Sequence, residues 1–349
     1  MSQSPRPCAR WPKARSLLAL LLCAAPLVGT LTMVSTALGA PSAAPPAAPQ
    51  GVAFASMTLA EALAEAKRSG KRVFADFDAS WCPSCRQLER EVLHTPEGAA
   101  LLQGLLAVRV DFDDERNRAL IERYVILGLP TTLVLDADGN QVVRVTGFED
   151  KASFMTPMRA ALTARDPLPA LQQACADRPD DADARLALGK ALLAHSGGNQ
   201  ERAAAALAQL ESMLWAGVGA EPTAQAAADE RAAEALWTMG RYHQRVRRDP
   251  ATAQHVWREL ATRFPSGSWA GGAWSWYAKA QAELSRPQVG AAALAAAARR
   301  QPGPATVGAW LAYSKKHALK AERAAITRAT EALPPAAATP LRAELSAWR

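Results

Sequence analysis

Apolar and polar positions follow two rhythms along this chain, one up to about residue 166 and another beyond it. The first periodic segment opens at Thr58, a good N-cap, and Glu61 three residues later completes a capping box. Leu59, Ala62, Leu63 and Ala66 then share one helical face, and Gly70 ends the helix. Arg72-Val73-Phe74-Ala75-Asp76-Phe77-Asp78 is a run of β-type residues that reads as a buried strand. Pro83 suits the first turn of a helix that carries Leu88 and Val92 and runs to about His94. Residues 106–111 read as a second strand, 115–125 as a helix, 131–135 as a third strand, Asp138-Gly139-Asn140 as a turn, 141–146 as a fourth strand and 150–164 as a helix. This α-β-α-β-α-β-β-α order predicts an α/β domain: a central mixed sheet flanked by helices, with a parallel crossover half and a terminal hairpin.

After Pro167 the pattern is helical throughout, and alanine, the best helix former, is heavily used. Trp237, Trp274 and Trp310 recur at spacings of 37 and 36 residues, in LWTMGRYHQ, AWSWYAKAQ and AWLAYSKKH, each expected to open a helix. The earlier ARLALGKALLA has the same texture. A period in the mid-thirties marks stacked helix pairs. With Leu188-Gly189 and Met239-Gly240 at the fitting positions, the segment resembles divergent tetratricopeptide repeats, an all-α helical-repeat domain. Asp249-Pro250, Phe264-Pro265 and Pro302-Gly303-Pro304 are the expected breaks between helices. At helical spacing the tryptophans beyond 215 read as packing core rather than a ligand cage.

The net charge of +7 would suggest a basic protein, but Arg6, Arg10, Lys13 and Arg15 lie before residue 41 and no acid does, so the remainder carries +3. The pairs Arg247-Arg248 and Arg299-Arg300 are too short to make the clustered basic face of a nucleic-acid binder, and no nucleic-acid partner is expected. The basic start followed by the apolar run from Leu17 to Leu38 and the small residues Gly39 and Ala40 reads as an export signal, or as an uncleaved membrane anchor. Leu22 stands before Cys23 where a lipidation signal would place a small residue. The expected organisation is therefore a signal or anchor at 1–40, a Pro/Ala linker at 41–56, an α/β domain at 57–166 and a helical-repeat domain at 167–349.

Of five cysteines, Cys8 and Cys23 belong to the N-terminal segment, which leaves Cys82, Cys85 and Cys175. Three do not make a structural disulfide framework, whereas a close pair with one distant cysteine fits a redox motif plus a bystander, Cys175, in a helical stretch. Cys-x-x-Cys alone is shared by zinc and redox sites. Zinc normally needs four ligands, and His94 has no second histidine at helical spacing. In Trp81-Cys82-Pro83-Ser84-Cys85 the pair sits between a strand and a helix. At a helix N-terminus the free N–H groups favour an anion, so Cys82 would be held as a thiolate. Lowering a thiol pKa from about 8.5 to about 7 raises the thiolate fraction at neutral pH from roughly 3% to roughly half. Cys82 would attack a substrate disulfide, and Cys85, one turn on, would resolve the mixed disulfide. No cofactor beyond that dithiol and no metal are expected.

At these residues residues 58–164 resemble a thioredoxin-like domain, and in particular the C-terminal periplasmic domain of the thiol:disulfide interchange protein DsbD. The resemblance rests on Asp76-Phe77-Asp78-Ala79-Ser80-Trp81-Cys82, on Leu127-Gly128-Leu129-Pro130-Thr131 and on Arg144-Val145-Thr146-Gly147-Phe148, three motifs in the family's order. It implies that Pro130 is cis and that its loop faces the cysteines, with Leu129 offering its backbone to substrate, and that Trp81, Leu129, Pro130 and Thr131 contact it. It also implies that Asp76 is a buried acid exchanging a proton with Cys85, and that Glu89, one turn after Cys85, stands near the active site. Asp78 replaces an aromatic residue frequent in thioredoxins, and Pro83-Ser84 departs from the family's usual central pair, which leaves the redox direction open. The function expected is an exported thiol–disulfide oxidoreductase acting on disulfide-containing envelope proteins, recharged by a membrane electron donor, with the repeats holding a protein partner. Its alternatives are net oxidation or isomerisation of disulfides, a redox-switched repeat scaffold with little turnover and, more weakly, metal binding.

Overall fold

The computed structural model describes residues 51–163, 168–215, 222–265 and 269–348; the expected leader and most of the linker lie outside the described residues. Helix α1 (Leu59–Ser69) is capped at both ends as its sequence demands. Thr58 Oγ1 accepts from the Glu61 N–H, the Glu61 carboxylate takes the Thr58 N–H at 2.7 Å, and Gly70 adopts the left-handed conformation at φ 67°. The described residues before this cap also make contacts. Phe54 bridges to Ala107 and the Val52 N–H reaches the Leu93 carbonyl, contacts that no local periodicity announces.

Strands β1 (Val73–Asp78), β2 (Leu106–Asp111), β3 (Thr131–Leu135) and β4 (Gln141–Thr146) form one sheet in the order β2-β1-β3-β4. The β1–β2 pair is parallel, and β1–β3 and β3–β4 are antiparallel, which is the mixed sheet that the order of elements predicts. Alternate residues of β1 serve two cores. Val73, Ala75 and Phe77 pack with α1 and with Ile121 and Tyr124, which belong to or follow α4 (Arg118–Arg123). Phe74 packs on the opposite face with α2 (Pro83–Leu88) and α5 (Lys151–Thr163). Asp76 shares the Phe74 face by strand alternation.

Two elements differ from the sequence reading. The helix after the cysteines is α-helical only to Leu88, and Glu89–Leu93 widens into a π turn in which the His94 N–H bonds the Glu89 carbonyl. A further helix, α3 (Pro96–Leu101), is capped by Thr95, whose side chain accepts from the Gly98 N–H. Six residues are too few for a periodic signal, so only the Thr-Pro start marked it.

The second half is a succession of helices packed on their chain neighbours: α6 (Leu168–Asp177), α7 (Ala182–Ala194), α8 (Gln200–Glu211), α9 (Pro222–Arg241), α10 (Pro250–Arg263), α11 (Ala270–Glu283), α12 (Pro287–Arg300), α13 (Pro304–Lys316), α14 (Arg323–Glu331) and α15 (Pro335–Ala347). The Pro-marked breaks fall between helices as expected, and Pro250 and Pro304 occupy first turns. The tryptophan segments do not each open a helix. Trp237 lies near the C-terminal end of the 20-residue α9, whereas Trp274 and Trp310 lie inside α11 and α13. What the three share is packing. Trp237 meets Trp257 at 5.3 Å and Trp269 at 5.1 Å, and Trp310 is buried in the last core. Trp257 is fully buried, with its indole N–H on Gln244 Oε1 at 2.7 Å. Cys175 is buried in α6.

The halves meet through side chains on loops next to the sheet. Val125 is buried in the core of the helical half, Arg241 Nε donates to the Leu127 carbonyl at 2.5 Å, Arg118 donates to the Arg245 and Val246 carbonyls, and Arg248 pairs with Glu115.

Gly240 allows α9 to approach α10, since a Cβ there would lie 2.7 Å from the Trp257 ring. Gly240→Ala is expected to cost about 1–3 kcal/mol through overpacking. Gly271→Ala on α11, where a Cβ meets nothing within 4 Å, should be neutral or stabilise by up to about 1 kcal/mol. Urea unfolding of the two variants, followed by tryptophan fluorescence, checks both signs.

Candidate active site

The C-terminal end of β1 delivers the chain directly into α2, so Cys82 is the N-cap and Pro83 the first helical residue. Cys82 and Cys85 form a disulfide with a Cα–Cα distance of 5.3 Å. The Cys85 N–H points at Cys82 Sγ, 3.1 Å away, and Ser84 Oγ is 3.6 Å from the same sulfur. A thiolate formed at Cys82 on reduction therefore has a backbone donor already in place, with the Ser84 hydroxyl close by. Cys82 is 3% exposed and packs with Ala79 and Cys85 between Phe112 and Leu129.

The Leu129-Pro130 peptide bond is cis, and its loop lies against the cysteines, with Ser84 Oγ donating to the Leu129 carbonyl at 3.4 Å. Thr131 is buried, and its hydroxyl donates to the Gly128 carbonyl at 2.7 Å, so its side chain shapes the loop from inside. Trp81 stands out at 55% exposed, its indole N–H held by Asp113.

Asp76 is 3% exposed, flanked in register by Arg109 on β2 and Thr132 on β3. Its Oδ1 has no hydrogen-bond partner. Burial, and then the negative charge of Asp78, push its pKa up from 3.8 to about 7; the positive charge of Arg109 partly opposes them. Asp78 is also raised, by burial, against the pull of Arg109 and Arg86, whose guanidinium donates to it at 2.9 Å. Glu89 is the centre of an ion-pair group with Arg109 at 2.7 Å, His94 at 3.3 Å and Arg86 at 3.4 Å. Burial works against its charge, but the Arg109 bond and the surrounding cations outweigh it, and the Glu89 pKa is lowered.

The structure thus gathers Cys82, Cys85, Trp81, Leu129, Pro130, Asp76 and Glu89 around the end of one strand. Sequence reasoning missed Arg109, although a lone arginine inside Leu106-Ala107-Val108-Arg109-Val110 was a visible signal for a buried acid partner. It also missed Phe112, which packs on the disulfide, and the arginines that reach the site from α9 and the π turn after it, which only the tertiary fold brings there. Among the described residues no three of His, Cys, Asp and Glu are grouped to hold a metal ion.

A sheet of this topology, a Cys-x-x-Cys disulfide at a helix start and a facing cis-proline define the thioredoxin-like class. Residues 59–161 match the family model described as a thioredoxin-like domain, and this part of the chain is such a domain. Over 105 residues the chain is 38% identical to the thiol:disulfide interchange protein DsbD of Ralstonia nicotianae, covering 29% of this chain and 17% of that protein. Over 140 residues it is 36% identical to DsbD of Salmonella typhi, covering 39% of this chain and 24% of that protein. The chain therefore spans about a quarter or less of the length of these relatives. Among solved structures it is similar to the DsbH oxidoreductase, at 24% identity and TM-score 0.30 over 37% of this chain and 96% of that one. It is also similar to the oxidised C-terminal domain of DsbD from Neisseria meningitidis, at 26% identity and TM-score 0.25 over 28% of this chain and 86% of that one.

Because folded Asp76 holds its proton to higher pH than the unfolded chain does, its contribution lowers stability as pH rises from about 4 to about 7. Asp76→Asn in the oxidised protein, where neither active-site cysteine titrates, should be more stable than the parent at pH 8 by about 2–4 kcal/mol, with the difference largely gone at pH 4. Denaturant titrations at the two pH values measure it; an equal effect at both would refute the assignment.

Proposed function

We propose that this chain is an exported thiol–disulfide oxidoreductase that reduces or exchanges disulfides in envelope proteins. The observation that carries the reading is the Cys82–Cys85 disulfide at the start of α2, with the cis Leu129-Pro130 loop against it. In the reductive direction Cys82 Sγ attacks one sulfur of a substrate disulfide, and the substrate's other sulfur leaves as a thiolate. Cys85 Sγ then attacks the Cys82 Sγ of the mixed disulfide and releases the second substrate sulfur. Two electrons pass from the dithiol to the substrate, and Cys82–Cys85 returns to the disulfide. Asp76, with a pKa near neutrality, takes the proton that Cys85 loses. Glu89 acts at one remove: its negative charge helps to hold the Asp76 pKa up, while its ion pairs keep Arg109 and Arg86 in place. Trp81, Leu129 and Pro130 form the contact surface for the substrate chain, and Thr131 braces the loop.

Export is supported by the basic and apolar N-terminal pattern, and recharging by a membrane electron donor by the similarity to DsbD. The helical array, tetratricopeptide-like in its sequence texture, serves as a recruiting surface for a protein partner.

Equilibration of the Cys82–Cys85 pair in glutathione or dithiothreitol buffers should give a reduction potential near thioredoxin's, about −270 mV. A value near −120 mV, that of a strong oxidant, would replace this reading with net disulfide formation. Cys82→Ser should abolish turnover of a peptide disulfide, and Cys85→Ser should accumulate the mixed disulfide, detectable by mass on a non-reducing gel. Little turnover by the parent chain, together with a partner affinity that changes with the oxidation state of Cys82–Cys85, would favour the redox-switched repeat scaffold instead.

A further inference from the structure

The helical half supplies a wall to the redox site, and that wall carries more cations than acids. Arg241 ends α9 with its guanidinium at the Leu127 carbonyl beside the cis-proline loop. Four residues later Arg245 lies 5.2 Å over the Phe112 ring, the same ring that packs, with Leu129, on the cysteine pair. Trp276 of α11 stands between them, 4.8 Å from Arg241 and 5.0 Å from Arg245, with the Lys279 ammonium 5.0 Å from the same ring. Among the described residues none of these three cations makes a contact ion pair; Asp113 acts on Arg245 and Glu283 on Lys279 only through their charge, and no acid acts on Arg241.

The neighbouring acids spend their hydrogen bonds on other groups. Asp113 holds the Trp81 indole, Glu115 pairs with Arg248, and Glu283 accepts from Gln244 at 3.1 Å. Arg245 Nε and Nη1 are buried without any hydrogen-bond partner. Burial, with Arg245 close by, pushes the Arg241 guanidinium down to about 9, so it is still charged at neutral pH. Three cations over one indole gain from its π face but repel one another, and half-buried donors left unbonded are costly. A carboxylate placed among them would relieve both.

The space for it exists on both flanks of the cysteines. A cavity of about 440 Å³ on the Trp81 side is lined by Phe112 and by four cations, Arg245 and Lys279 among them, against the three acids Asp113, Glu115 and Glu283. One of about 490 Å³ on the Leu129 side is lined by Trp237, Trp269 and Arg241. We propose that this split cleft binds the acidic flank of a substrate polypeptide. Residues before and after the substrate cysteine occupy the two cavities, and Arg245 and Lys279 take a carboxylate next to the cysteine attacked by Cys82. The proposal rests on the oxidoreductase reading and names its substrate class: disulfides whose cysteines lie among Asp and Glu.

The test compares kcat/KM of the full chain for two peptide disulfides that differ only in having Asp-Glu or Lys-Lys beside the cysteine. At low salt the acidic peptide should be preferred about tenfold, and the preference should shrink as ionic strength rises from about 0.05 to about 0.5 M. The double variant Arg245→Gln/Lys279→Gln should bring the ratio close to unity, while Arg299→Gln on the exposed side of α12 leaves it where it was. A parent with no acidic preference, or a preference that survives the double variant or ignores salt, overturns the proposal. The salt series on the parent chain decides the matter even where a variant does not fold. A neutral disulfide, bis(2-hydroxyethyl) disulfide, separates the two levels. Turnover of it without acidic preference defeats only this inference, whereas no turnover of any disulfide defeats the oxidoreductase reading beneath it.

Discussion

Strand β1 is hydrogen-bonded on both sides and covered on both faces, so every residue in it up to its last position is shut away from water, and one of those residues is an aspartate. An isolated carboxylate in such a place is expensive to charge. The surrounding structure meets this cost in two ways: Asp76 holds its proton to near pH 7, and Arg109, from the neighbouring strand, supplies positive charge that Glu89 then shares. Only residues 79–81 separate this strand from Cys82 at the start of α2, so the acid that would carry a proton and the sulfurs that would carry electrons are positioned by two directly joined elements. Mobility in either would loosen the other, which suits chemistry in which proton and electron movements have to keep step.

The helix that carries the cysteines is shaped by the same demand. Its first turn is an α-helix start with the Cys85 N–H aimed at Cys82, and its continuation widens into a π turn at Glu89. Glu89 stays within reach of Arg86, Arg109 and His94 at once. The cis-proline loop is braced separately, by the Thr131 hydroxyl on Gly128 and by Arg144, which donates to the Tyr124 and Val125 carbonyls. Arg241 reaches the adjoining Leu127 carbonyl from the helical half. One side of the redox centre is therefore built by the thioredoxin-like domain, and the other is faced by helices that belong to no such domain.

Much of the first domain was legible along the chain because its signals are local. Thr58 with Glu61, Gly70, the apolar strand before Trp81-Cys82 and the turn at Asp138-Gly139-Asn140 each act within a few residues, and the four strands lie where their β-type runs place them. Asp76 was recognisable as a charge in the middle of an apolar strand. The short α3 was not, since six residues hold too little periodicity. The tryptophan spacing in the second half did mark packing positions, but not helix starts: a tryptophan that fills a gap between helices can sit near the end of one, as Trp237 does, or in the interior of another, as Trp310 does.

What the sequence by itself determined is the strands and the longer helices of the first domain, the redox pair and its helix-start setting, because capping, alternation and the Cys-x-x-Cys spacing are properties of neighbours in the chain. What only the tertiary structure decided is the electrostatics and the shape of the site. The rise of the Asp76 pKa depends on burial between two strands. The lowered Glu89 pKa depends on an arginine 20 residues away. The cations gather over Trp276, with Arg245 also over Phe112, only because α9, the turn after it and α11 dock beside the first domain. These are long-range contacts whose energies vary with distance and burial, neither of which is written in the spacing of residues along a chain.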